Sequence, residues 1–367
     1  MMSRNLKISS AIRRWFLFGG AMLLSACCSK SETRTEACEV IGVPLANAEG
    51  PYADLHPSLG QVSGIPLRGR LVEEDGPINF DAQRPWDTLT QDEIPEAHLK
   101  LVLVTDEVDT CIVLPSVRVD AEGYSDGIVA LDQVEVPPGE HMLGVFYEDQ
   151  LVGRTQVRIL PPETDQILVR SDVDQTWLDT DFFSTNAQLE LLRSDASERD
   201  ALPAMSRVYQ ALRVGADGDA DRSLIFLSGS PRFFKRVLEN KLVRDQVEHE
   251  GLVLKPFKDI VLDNIFDLDI PDIIPELKEQ IGYKLEALLR FRVEVPATAP
   301  EILMGDDTEA DVVAYTLYHR FTSGTLDAEA LDGELANLQV AESWREAIAQ
   351  AAPKVTAHLE GAPRQQL

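Results

Sequence analysis

Three short apolar stretches in the second half of the chain each end abruptly in a polar cluster. Ile167-Leu168-Val169-Arg170-Ser171 is followed by Asp172-Val173-Asp174-Gln175-Thr176, Leu224-Ile225-Phe226-Leu227 by Ser228-Gly229-Ser230-Pro231, and Glu301-Ile302-Leu303-Met304 by Gly305-Asp306-Asp307. These stretches alternate with longer ones of helical character, for example Pro203 to Leu212 and Ile281 to Phe291. Short strands separated by helices are what a parallel sheet needs, because each parallel connection must cross over a face of the sheet. The carboxyl ends of such strands lie along one edge, where ligands bind. The three polar clusters are therefore predicted to converge.

At 367 residues the chain exceeds one ordinary domain, and a hydrophobic content of 44% is enough for more than one core. The texture changes at Pro161-Pro162. Upstream lie short apolar strands, among them Leu67 to Val72, Leu99 to Val104, Cys111 to Leu114, Met142 to Tyr147 and Val152 to Ile159, separated by turn clusters such as Glu74-Asp75-Gly76-Pro77 and Pro137-Pro138-Gly139-Glu140. That pattern predicts an all-β sandwich over residues 63–161. The run Val136 to His141 entering a strand resembles the immunoglobulin-like or transthyretin-like modules of exported proteins, for which the plainest role is that of a spacer. Residues 162–367 form the predicted α/β domain, ending in helices between Leu326 and about Leu359.

The first 26 residues hold Arg4, Lys7, Arg13 and Arg14 but no acidic residue, then the apolar run Trp15 to Leu24. This is a signal peptide, too short to span a bilayer as a helix. It ends in Leu24-Ser25-Ala26-Cys27, similar to the lipobox of bacterial lipoproteins, whose cysteine becomes the lipid-anchored N-terminus. Arg13-Arg14 also resembles a twin-arginine signal. Ser29, in place of an aspartate, directs the expectation to an exported protein at the outer membrane. Residues 27–62, rich in Ser, Thr, Glu, Pro and Gly, then read as a tether. Without the signal, 30 basic residues face 62 acidic ones, a formal charge of −32. Such a surface repels polyanions, so nucleic acid is excluded as a partner, and approach to an anionic bilayer is opposed too. No obligate protein partner is implied. Cys27 and Cys28 lie at the anchor, which leaves Cys38 and Cys111 able to pair in an oxidising compartment. The scattered histidines offer no zinc site.

Taken singly, the polar clusters are weak signals. An Asp-rich turn can simply cap a helix, Ser228 can be an N-cap, and acidic residues favour the first helical turn. Asp217-Gly218-Asp219-Ala220-Asp221 lacks the glycine and the glutamate of a calcium loop. No Walker loop and no G-x-S-x-G elbow occurs. The order of the clusters is more informative: D-x-D-x-T at Asp172, Ser228 after the next strand, Lys284 in a helix, then Gly305-Asp306 with Asp311 after a further strand.

That order resembles the haloacid dehalogenase superfamily of phosphatases. Within it, Pro203-Ala204-Met205 with Tyr209, Ser228-Gly229-Ser230-Pro231, and Gly305-Asp306-Asp307-Thr308-Glu309-Ala310-Asp311 with Tyr315 are similar to runs of the phosphatidate phosphatases of the yeast actin-patch protein type and their bacterial relatives. The resemblance covers Leu168 to Phe321. Gln175 stands where the family has a second Asp, Tyr283 where it has His, and Ala204 where it has Gly. The resemblance implies a Rossmann-like domain and a Mg²⁺-dependent phosphomonoesterase that works through an aspartyl-phosphate. Asp172 would be the nucleophile and Asp174 the general acid and base. Asp172, Asp174 (through its carbonyl) and Asp306 would hold Mg²⁺, with Asp311 fixing Lys284 or completing the metal shell. Ser228, Gly229, Lys284 and Thr176 would form the substrate-binding site, the first three holding the phosphate and Thr176 fixing the loop by hydrogen bonding. Phosphatidate in a membrane is the substrate that the family suggests. A soluble phosphomonoester, or a catalytically silent surface-binding lipoprotein, are the alternatives. Substrate specificity in the superfamily lies in cap insertions, here Trp177 to Met205 and Pro231 to Gln280.

Overall fold

The computed structural model describes residues 41, 50–74, 84–89, 91–105, 110–179, 193–216, 218, 220–256, 277–307 and 310–362. The predicted signal peptide, Cys27, Cys38, most of the predicted tether and the middle of both cap candidates lie outside these residues. In chain order the elements are β1 (Gly50–Leu55), β2 (Ser58–Gln61), β3 (Gly64–Glu74), α1 (Pro85–Leu89), β4 (Asp92–Glu93), β5 (His98–Thr105), β6 (Thr110–Arg118), β7 (Tyr124–Ala130), β8 (Gly139–Tyr147) and β9 (Gln150–Leu160). There follow β10 (Leu168–Ser171), α2 (Met205–Val214), β11 (Ser223–Pro231), α3 (Lys235–Arg244), β12 (Gly251–Lys255), α4 (Leu277–Arg292), β13 (Glu301–Met304), α5 (Asp311–Thr322), α6 (Ala328–Asn337) and α7 (Glu342–Leu359).

The first nine strands hydrogen-bond as one sheet rather than as two separate ones. The long strand β3 is the reason, since it pairs along its length with β1, β2, β4 and β7. The sheet nevertheless closes over an apolar core. Leu67 and Val129 share that core with Leu101, Leu103, Leu143 and Val145 of strands that β3 and β7 do not pair with. In β5 the alternation of His98, Leu99, Lys100 and Leu101 sends the leucines inward and the polar residues outward, as a pleated strand dictates. Val102, facing the other way, packs with Ile41, Cys111 and Phe146. Cys111 is half of a disulfide, and the other three cysteines lie outside the described residues. Regular structure begins earlier than the sequence pattern indicated. β1 and β2 occupy part of the predicted tether, because ladder bonds to β3 and β9 order a segment whose own apolar periodicity is poor.

The second sheet is parallel throughout, in the order β12-β11-β10-β13. Its strands alternate between two cores. Leu168, Ile225, Leu227 and Val253 pack under α4, α5 and α7, whereas Val169, Leu224, Phe226, Leu252 and Leu254 pack with α2 and α3. Helices on both faces leave only the strand ends open to ligand, which is the arrangement the alternating sequence predicted. Leu59 and Leu160 of the first sheet belong to the core under α4, so the two regions share apolar surface. The helical stretch near the end of the chain is broken into α6 and α7, with Gln339 at a positive φ of 59° between them. Among the described residues no helix is long and apolar enough to cross a membrane.

Candidate active site

Asp172 directly follows β10, the strand flanked by β11 and β13, and its N–H donates to the carbonyl of Met304, the last residue of β13 (2.9 Å). This bond ties the first and last polar clusters together across the sheet edge. Two tyrosines set the strand ends. The hydroxyls of Tyr209 and Ser171 are 2.7 Å apart, and the Tyr315 hydroxyl donates to the Met304 carbonyl (3.2 Å). Both tyrosines lie in runs that the sequence resemblance singled out, but that reading assigned them no task.

Lys284 projects from α4 and is fully buried. Its ammonium donates to Asp172 Oδ1 (2.8 Å) and Asp311 Oδ1 (2.5 Å). Burial opposes its charge, yet Asp172 and Asp311 hold Lys284 protonated well above the ordinary lysine range. Asp311 Oδ2 in turn accepts from the Asp306 N–H (3.3 Å). Gly305 allows this close approach, since a Cβ there would lie 2.2 Å from Asp311 Oδ2. Burial pushes the Asp172 carboxyl well above the usual carboxylate range. Lys284 opposes that shift, and the charges of Asp311 and Asp174 add to it. Asp172 Oδ2 is buried and has no hydrogen-bond partner.

Asp172, Asp306 and Asp311 bring ligand oxygens within 4.8 Å of one another. The all-oxygen donor set of two buried carboxyls and the half-buried Asp306 suits a hard divalent cation such as Mg²⁺, whose charge would offset the burial that pushes the Asp172 carboxyl up. With Asp172 Oδ2 buried and without a hydrogen-bond partner, the residues present fit such an ion. The Asp174 carboxylate is not part of the cluster. Its Oδ2 accepts from the hydroxyls of Ser228 and Ser230, each at 2.9 Å, while Ser228 Oγ accepts from the Ser230 N–H (2.9 Å). Ser228 is thus turned toward Asp174, and Gly229, beside it, has Gln280 as its neighbour.

Thr176 departs from its expected role. Its hydroxyl is buried and makes no hydrogen bond. The loop is braced instead by backbone: Trp177 and Leu178 donate to the Val173 carbonyl (2.8 and 2.9 Å), with Gln175 in the left-handed region at φ 56°. Asp307 is exposed. Sequence reasoning missed Arg199, a buried cation near Asp174. Burial lowers its pKa to about 10, and the charge of Asp174 opposes that shift, so it stays charged at neutral pH. It missed the buried pair of Arg170 with Glu301 as well (2.6 Å), which locks β10 to β13 beneath the site. An arginine inside an otherwise apolar strand was the available signal for the latter.

Residues 167–326 match the family described as phosphatidate phosphatase APP1, catalytic domain, and the matched segment contains every residue of the site just described. No curated protein matches the chain. Solved structures with partial likeness include the Pseudomonas fluorescens alkylpurine DNA glycosylase AlkC bound to DNA containing an abasic site analog. It is 12% identical, covers 35% of this chain and 34% of its own, and has a TM-score of 0.19. An immunoglobulin-like protein from Pseudomonas aeruginosa is 14% identical over 32% of this chain and 100% of its own, with a TM-score of 0.17. A glycosyl hydrolase family 2 member from Bacteroides cellulosilyticus is 9% identical over 75% of this chain and 38% of its own, with a TM-score of 0.22. At these scores none of the three bears on the fold or activity of this chain.

Proposed function

We propose, from the premise that residues 167–326 belong to the phosphatidate phosphatase APP1 catalytic-domain family, that the chain is a phosphomonoesterase in which Asp172 attacks phosphorus. On this reading the parallel sheet is a haloacid dehalogenase-like Rossmann core within residues 162–367, and the folded-over N-terminal sheet is a modified immunoglobulin-like sandwich. The observation that carries the proposal is the state of Asp172. Lys284 fixes one of its oxygens, and the other is buried and unpartnered beside a cation-hungry carboxylate cluster. A nucleophile held this way loses little orientational freedom on reaction. Asp172 and Asp306 would hold Mg²⁺, which when bound supplies the positive charge that phosphoryl transfer requires. Asp311, with both oxygens engaged by Lys284 and the Asp306 N–H, acts by orienting the lysine. Lys284 holds one phosphate oxygen, and the Ser228 hydroxyl, which rests on Asp174, turns to donate to another when phosphate is present. Asp174, steered by Ser228 and Ser230, protonates the leaving alkoxide and later takes a proton from water.

Phosphatidate, the substrate that the family's name carries, is the first candidate, and a soluble phosphomonoester is the second. Phosphate release by detergent-solubilised full-length chain separates them. Phosphatidate mixed micelles and soluble alkyl and aryl phosphates are each assayed with Mg²⁺ and with excess chelator. Mg²⁺-dependent release from the micelles is the expected result. Release confined to soluble esters would move the substrate. Full activity in chelator would overturn the metal's role, and no release from any ester would favour a catalytically silent surface protein.

A further inference from the structure

The N-terminal sheet meets the catalytic region with charged side chains, and one of them touches both segments that carry the phosphate-holding groups. In the β3–β7 ladder Arg68 stands opposite Asp126 and Arg70 opposite Tyr124. Leu67 and Val129 point into the apolar core, so strand alternation places Arg68, Tyr124 and Asp126 on the outer face. That face abuts α4 and the end of β11. Asp126 Oδ1 lies 2.8 Å from Arg290 Nη1 and 3.4 Å from Arg68 Nε. Its Oδ2 accepts a hydrogen bond from Arg232, which directly follows Pro231. Arg290 is on the helix that bears Lys284, and Arg232 continues the strand that ends in Ser228 and Ser230.

We propose that Asp126 is a positioning residue for the phosphate-holding groups, a single carboxylate that sets the distance between the Lys284 helix and the Ser228 strand end. This rests on the reading of Lys284 and Ser228 given above. Two further features support it. Arg68 extends the same contact along α4, lying 4.3 Å over the Phe291 ring and 2.5 Å from Glu294, so the helix is gripped over its last turn. Asp54 of β1 makes a parallel clamp at the start of α3, to Lys235 (2.6 Å) and Arg236 (2.8 Å). Burial alone would raise the Asp126 carboxyl, but the charges of Arg290, Arg68 and Arg232 hold it below its usual range and keep it ionised. Isolated exposed ion pairs contribute little, but removing a half-enclosed carboxylate shared by three guanidiniums takes from Arg232 its carboxylate partner and leaves Arg290 and Arg68, among the described residues, held only by Glu286 and Glu294, off the β7 strand. On this view the N-terminal sheet is a structural part of the active site and more than a spacer.

The test uses the full-length chain with Mg²⁺ and measures binding of inorganic phosphate by titration calorimetry, together with KM, kcat and the thermal midpoint. Asp126→Ala and the isosteric Asp126→Asn are compared with Leu335→Ala, a cavity variant in α6 that lowers stability without removing any of the site's polar groups. A displaced anchor should weaken phosphate binding and raise KM by about tenfold or more in both Asp126 variants, since small misplacements of binding groups carry large penalties. Leu335→Ala should leave both within about twofold despite its lower midpoint. If Asp126→Ala does not fold, Asp126→Asn decides alone. Unchanged phosphate affinity in the Asp126 variants, or an equal loss in Leu335→Ala, would overturn the proposal. A wild-type chain that neither binds nor releases phosphate would instead remove the reading on which it rests.

Discussion

The two sheets of this protein bury opposite chemistries. Inside the nine-stranded sheet the core is leucine, isoleucine, valine and alanine, and its charged residues are turned outward. Along one edge of the four-stranded sheet Asp172, Asp174, Lys284 and Asp311 are all at most 5% exposed. An apolar core is stabilised roughly in proportion to the area it removes from water and tolerates some variation in shape. A buried charged edge is different, because each group depends on a specific partner and becomes costly when that partner is lost. Changes in the first region should therefore register in stability and changes in the second in chemistry, except at the docking face where Asp126 joins them.

The sharpest test of that division is at Asp172, the proposed nucleophile. Asp172→Asn should abolish turnover and any aspartyl-phosphate, a loss on the order of 10⁴-fold or more, because an amide neither attacks phosphorus nor offers an anionic ligand. Asp174→Asn should retain phosphate binding but lose roughly 10²–10⁴-fold on alkyl esters, with a smaller loss on aryl esters that need little protonation. Single-turnover rates on the two ester classes check this, and equal losses on both would show that Asp174 is not the general acid. In the other region, Leu101→Ala should cost about 2–5 kcal/mol in denaturant unfolding while kcat of the folded fraction is unchanged. A parallel drop in kcat would mean that the apolar core itself sets the site. The smallest effect is expected at Ala204, which caps α2 with φ 70°, a left-handed conformation that a Cβ disfavours. Ala204→Gly should stabilise the chain by about 1 kcal/mol, and an unchanged or lowered unfolding midpoint would show that the strain is relieved elsewhere.

Ala204 also shows how sequence and structure meet. The departure from the family's glycine is visible in the sequence, but its cost is a matter of the backbone angle. β5, β8 and β9 were legible because their alternation matches one buried face. β1 and β2 were not, because their order comes from pairing with distant strands. Asp172, Ser228 and Asp306 could be picked out by following strand ends, and Lys284 only by its place in the order of the clusters. The role of Thr176 could not, since whether a hydroxyl finds a partner depends on the loop's path. Arg199 and Asp126 carried no local signal, each being one charged residue among many in an acidic chain.

By itself the sequence determined that short apolar strands alternate with helices, that their polar ends share an edge, and that a β-rich region precedes them. These follow from periods of two and 3.6 residues, which are properties of neighbours in the chain. Only the tertiary structure decided that Lys284 bridges Asp172 and Asp311, that Ser228 and Ser230 steer Asp174, and that Asp126 gathers Arg68, Arg232 and Arg290. Charge pairing falls off over a few ångströms, so partners separated by a hundred positions in the chain are chosen by packing, and no local pattern records that choice.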